Sequence, residues 1–145
     1  MNPRHIHLSS LIGRLALFVV YFWFGALKLL DLSPANPMVA DLLHVTMPFW
    51  PFSNFIIWFA LFEMLIGLLF LIPRCEKVAF GLFAFHMFTT VMPLFFIPAM
   101  TWQGFLTPTL EGQYIIKNVV LVALALFVYS ANEYAPTHRI KGLRD

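Results

Sequence analysis

The chain has 145 residues, of which 61% are apolar, 17% aromatic and only 11% charged, with a mean hydropathy of +0.83. A soluble domain carries about a quarter charged residues, so this composition excludes disorder and an ordinary water-exposed surface, and points to lipid as the solvent. Nine Lys/Arg against seven Asp/Glu form no dense basic run, which argues against nucleic acid as a partner, and the lone Cys75 rules out an internal disulfide or a thiolate zinc cluster.

Four apolar stretches of 18–21 residues organise the sequence: Leu11 to Leu30, Phe52 to Ile72, Val78 to Ile97 and Tyr114 to Ala131. At 1.5 Å per residue each matches a hydrocarbon core about 30 Å thick. Within lipid a helix satisfies its own peptide groups and an open sheet does not, so the expected fold is all-α, a single-domain transmembrane four-helix bundle over residues 1–145. The first stretch is longer than a signal-peptide core and carries Arg14 and Lys28, so it is expected to stay as a helix.

Breaks are expected at Ser33 to Pro37, Pro48 to Pro51, Pro73 to Lys77 and Pro98 to Gly112, where proline and charge interrupt the apolar pattern. Between the first two spans, Met38 to Val45 is expected to form a short interfacial helix with Asp41 and His44 toward water. Arg4, Arg74, Lys77, Arg139, Lys141 and Arg144 fall on one side of such a bundle, and the two longer loops on the other side contain no Lys or Arg. The positive-inside rule then places both termini in the cytoplasm and the longer loops in the periplasm.

Ionisable groups inside spans cost roughly 2.5–3.5 kcal/mol each on insertion scales. The spans hold Arg14, Lys28, Glu63, His86 and Lys117. Depth counting at 1.5 Å per residue puts Tyr21, Glu63 and His86 together, about 13–15 Å from the cytoplasmic ends. Lys28 and Lys117 fall in a higher tier, about 21–26 Å in, with Asp31 and Glu111 as counter-charges. Arg14 lies near the cytoplasmic edge, where it snorkels to water.

Glu63 must be neutralised or hydrated at that depth, and His86 is its nearest expected partner. These two are the candidate proton-transfer pair. Lys28, Lys117, Tyr21 and Asn118 are the candidate ligand-binding residues, with the lysines donating to a carbonyl or anionic oxygen. Gly25 and Gly67 permit close helix approach. A single histidine within the spans does not provide the two axial ligands of a haem held between helices, and no metal site is expected.

The run GRLALFVVYFWFGALKLLD, the later EMLIGLLFLIPR and the KNVVL of the last span resemble the DoxX family of small four-helix membrane proteins. The resemblance rests on Arg14, Gly25, Lys28, Glu63, Gly67, Arg74, Lys117 and Asn118. His86 and the loop from Thr107 to Gly112 are less typical of the short members and point to a divergent branch, near the reactive-chlorine-resistance relatives. The resemblance implies a bacterial inner-membrane protein that serves as a small subunit beside a quinone-linked oxidoreductase, or as a partner in an oxidative-stress complex. Quinone is then the expected ligand, redox groups lie in a partner, and self-association is a further expectation. The residues alone leave two alternatives open: a small ion or solute transporter, and a structural scaffold without chemistry.

Overall fold

The computed structural model describes the backbone of residues 3–141 and the side chains of residues 5–131. Its elements in chain order are α1 (Pro3–Leu29), α2 (Asn36–Thr46), α3 (Phe52–Leu71), α4 (Glu76–Val91), α5 (Pro93–Phe96), α6 (Pro98–Thr101), β1 (Trp102–Gly104), β2 (Thr107–Pro108) and α7 (Leu110–Lys141). Among the described residues, four segments are long and apolar enough to cross a membrane: His5–Leu29, Phe52–Leu71, Glu76–Phe96 and Leu110–Ala131. Only 17–33% of each is buried inside the protein, so most of their apolar surface faces outward and needs a lipid environment.

The four long helices form a ring in which α1 packs on α3 and α7, and α4 also packs on α3 and α7. The α1–α3 contact is much the most extensive. Two glycines set its closeness. A Cβ on Gly25 would lie 2.7 Å from the Ala60 carbonyl oxygen and the Met64 Cγ, and one on Gly67 would lie 3.1–3.2 Å from backbone atoms of Phe18 and Phe22. Each helix therefore presents a gap where the other presents bulk, and backbones approach as small residues allow. Leu17, Ile66, Phe70, Phe83, Ala125 and Val128 fill the interior between the four helices.

Several boundaries depart from the sequence expectation. The first helix begins at Pro3, well before Leu11, and the last begins at Leu110 and runs to Lys141. The third span is one helix only to Val91. Pro93 has no N–H for the ladder, so the chain makes a tighter turn, with the Met92 amide donating to the Thr89 carbonyl at 3.2 Å, before the single turn of α5. A helix does lie between the first two spans, over Asn36–Thr46, with Asp41 and His44 exposed.

The segment from Pro98 to Gly112 is more ordered than a loop. After the single turn of α6, β1 and β2 pair antiparallel, with Trp102 opposite Pro108. Thr109 locks this cap: its N–H donates to the Thr101 carbonyl at 3.0 Å, its hydroxyl donates to the Met100 carbonyl at 2.8 Å, and the same hydroxyl oxygen accepts from the Gly112 N–H at 3.2 Å. The last contact caps the start of α7. Gly112 abuts the Thr101 carbonyl and the Pro108 ring, leaving no room for a side chain.

At the opposite end, the α3–α4 turn carries Arg74 in the left-handed region at φ 72°. Arg14 of α1 reaches across to this turn, donating to the Phe70 carbonyl at 3.1 Å and pairing with the Glu76 carboxylate. Glu76 also accepts from the Arg74 N–H at 3.1 Å. Arg14 therefore ties α1 to the end of α3 and the start of α4, where the sequence alone predicts a side chain reaching for water. The side chains of Arg4, Arg139, Lys141 and Arg144, which enter the orientation argument, lie outside the described residues.

Candidate functional site

The polar centre of the bundle is built from α1, α3 and α4. Glu63 is buried on the inward face of α3, one turn from Ala60 and Gly67, and receives donors on both carboxylate oxygens. Lys28 Nζ donates to Oε2 at 2.7 Å, and His86 Nε2 lies 3.0 Å from Oε1. Tyr21 closes the row, with its hydroxyl 3.2 Å from His86 Nδ1. The side chains of Lys28, Glu63 and His86 are only 6–7% exposed.

Lys28 is the main correction to the depth argument. Its Cα stands seven residues, about 10 Å, beyond Tyr21 along α1. In an α-helix, however, the Cα–Cβ bond leans toward the N-terminus, so a long side chain covers the turn behind its own backbone. The ammonium thus descends to the Glu63 level and passes 5.6 Å from the centre of the Phe59 ring. Asp31, the expected counter-charge, accepts instead from Asn36 Nδ2 at 2.8 Å.

One assignment of hydrogens satisfies the whole row. With His86 neutral and its proton on Nε2, the imidazole donates to Glu63 and accepts the Tyr21 hydroxyl proton at Nδ1. Thr90 Oγ1 is 3.3 Å from Nδ1, and its hydroxyl donates to the His86 carbonyl at 2.9 Å. Thr89 also donates to that carbonyl, at 2.7 Å. The ammonium and the carboxylate cancel, so the row is neutral overall, as a site at this depth requires.

Aromatic rings enclose the imidazole. Phe59 stacks on His86 with centroids 5.3 Å apart and planes inclined by 23°, and Tyr21 meets it edge-on at 5.2 Å. Phe59, Phe62, Thr89 and Thr90 are half-buried, so the α3–α4 side of the site is not sealed from the surface. Phe59 carries no polar signal in the sequence, although its position one turn before Glu63 puts it on the same face. Glu76 was passed over as part of a turn, yet it is the acid that meets Arg14.

Lys117 stands apart from this centre. It is exposed on α7, with Nζ 4.9 Å from the Tyr114 ring centre, while Asn118 is half-buried and Glu111 is exposed. The structure therefore brings Tyr21, Lys28, Glu63 and His86 together and does not bring Lys117 to Lys28. Gly25 and Gly67 sit in the α1–α3 contact, and Arg74 is exposed at the turn. An open depression of about 380 Å³ lies elsewhere, near the end of the bundle that carries α2, lined by Asp41, His44, Phe96 and Met100.

Four membrane-length apolar helices define a multi-pass membrane protein with a buried ionic row at its centre. Neither family models, curated proteins nor solved structures yield a match to the chain.

Proposed function

We propose that the protein is a DoxX-like inner-membrane subunit whose Tyr21–His86–Glu63–Lys28 row exchanges a proton with a small quinone-like ligand, while a partner enzyme carries the redox group. The observation that supports this reading is His86, which is hydrogen-bonded through both ring nitrogens between a phenol and a carboxylate. One concerted shift, Tyr21 O–H to Nδ1 and Nε2–H to Glu63, relays a proton across the ring without moving a heavy atom; the step closes as Glu63 passes that proton to the ligand oxygen and a proton from solvent refills the Tyr21 oxygen. Reduction of a quinone consumes protons as well as electrons, and such a row supplies them in a region without bulk water. Lys28 holds the Glu63 charge in place. The half-buried α3–α4 side is the proposed approach for a ligand arriving from the bilayer.

The same reading places both termini in the cytoplasm. Arg74 lies in the α3–α4 turn and Lys77 in the first turn of α4, and the segments joining α1 to α3 and α4 to α7 lack Lys and Arg. The test is gentle purification followed by mass spectrometry of the bound lipid-soluble fraction, for wild type and for Tyr21→Phe and Glu63→Gln. Retained quinone in wild type, lost in Glu63→Gln at unchanged helicity, is the expected result. Equal quinone in all three proteins refutes the ligand assignment.

One observation favours a second reading, a polar lock that only fixes helix packing. Every polar atom of the row has a partner and the centre is closed. In that case the variants lose stability and no ligand changes.

A further inference from the structure

The geometry points to a binding site for the headgroup of an anionic phospholipid on the outward face of α7, gripped by Lys117 with Gln113 and Tyr114. Lys117 lies inside a membrane span and outside the bundle, an arrangement that calls for an anion. Among the described residues no carboxylate pairs with it; its contact is with the Tyr114 ring. Lys28, the other lysine within a span, solves the same problem inward with Glu63. Lys117 has no such solution among the described residues.

Position along α7 selects the occupant. Lys117 is seven residues past Leu110, about 10 Å along the axis. Its side chain leans toward the helix N-terminus and rests over Tyr114, one turn nearer the bilayer surface. The ammonium is thereby raised toward the depth of lipid phosphates, at the level where tyrosine belts mark the interface. Gln113, one turn before Lys117 on the same face, adds amide donors, and Tyr114 adds a hydroxyl. All three are exposed. Glu111, the nearest acid in the helix, is six residues from Lys117 and one turn before Tyr114, and it makes no ion pair with the ammonium.

Below the donors, Val120 is 65% exposed on the same side, and Val119 beside it is 66% exposed. This is an apolar surface for an acyl chain beneath a cationic surface for its phosphate. A zwitterionic lipid offers the phosphate with a cation of its own, so the site discriminates by net charge. A helix of another subunit with a carboxylate at this depth is the competing occupant.

The test is native mass spectrometry of the full-length protein released from mixed micelles holding equal phosphatidylglycerol and phosphatidylcholine. Wild type is expected to retain phosphatidylglycerol about fivefold over phosphatidylcholine at this site, the effect of one basic residue near an anionic surface. Lys117→Met removes that excess, Lys117→Arg keeps it, and Tyr114→Leu diminishes it, with helicity by circular dichroism unchanged because these side chains are exposed. The assignment is overturned if Lys117→Met retains as much phosphatidylglycerol as wild type. It is equally overturned if Lys117→Met sheds a co-purifying membrane protein while its lipid preference stays intact.

Discussion

Replacing Lys28 by Met removes one charge from a pair whose side chains are 6% and 7% exposed and whose atoms meet at 2.7 Å. The Glu63 carboxylate is then left with His86 alone. Breaking a buried ion pair from one side costs about 3–5 kcal/mol, because the remaining charge has lost its compensation. Glu63→Gln strands the ammonium in the same way and carries a similar cost. The Lys28→Met, Glu63→Gln double variant is different. No charge remains, the new amide oxygen accepts from His86 Nε2, and the expected loss falls to the 0.5–1.5 kcal/mol or so of a missing hydrogen bond. The double variant should therefore be more stable than either single one, a strongly non-additive cycle. Reversible unfolding by SDS in mixed micelles, followed by far-UV circular dichroism, measures it as the SDS fraction at the midpoint. Additive losses would show that Lys28 and Glu63 do not act as a pair, and the site described above would fall with them.

Arg14→Gln should cost about 1.5–3 kcal/mol in the same assay, since the Phe70 carbonyl and Glu76 lose a charged donor. Gly25→Val forces a branched side chain against the Ala60 carbonyl and Met64 and should destabilise by about 1–3 kcal/mol, whereas Gly81→Ala, with open space around it, should stay within about 0.5 kcal/mol. His86→Phe preserves ring packing but orphans one acceptor of Glu63 and the Tyr21 hydroxyl; the expected loss is about 1–3 kcal/mol for each group left unpaired, read by the unfolding midpoint. Cys75, the one cysteine of the chain, lies at the α3–α4 turn and reports orientation directly. A membrane-impermeant maleimide should label it in inverted vesicles and leave it unlabelled in intact spheroplasts; labelling in spheroplasts reverses the proposed topology.

The spans were legible because length and hydropathy need no knowledge of neighbours, and the common depth of Tyr21, Glu63 and His86 followed from simple counting. That counting misplaced Lys28, since it located Cα atoms and ignored which way a side chain leans. The two Cα atoms of Tyr21 and Lys28 are about two helical turns apart; a lysine leaning back toward its N-terminus covers about one turn, and Glu63, leaning toward the N-terminus of the antiparallel α3, meets it. Lys117 was grouped with Lys28 by depth alone, and depth does not say which side of a helix meets lipid. The Arg14–Glu76 clamp was hidden because it joins groups 62 residues apart. The cap around Thr109 was hidden because its donors and acceptors are threonine hydroxyls and backbone groups, which leave no hydropathy signature.

The pairing of Lys28 with Glu63 lies wholly within the first two spans, and the glycine gaps that bring α1 and α3 together lie there too. During synthesis these two helices emerge before α4. The carboxylate can thus enter the bilayer already matched by an ammonium, with no interval in which a bare charge waits in lipid for histidine. The first half of the chain in this sense neutralises its own buried carboxylate, and α4 then brings Glu76 to Arg14 and His86 to Glu63.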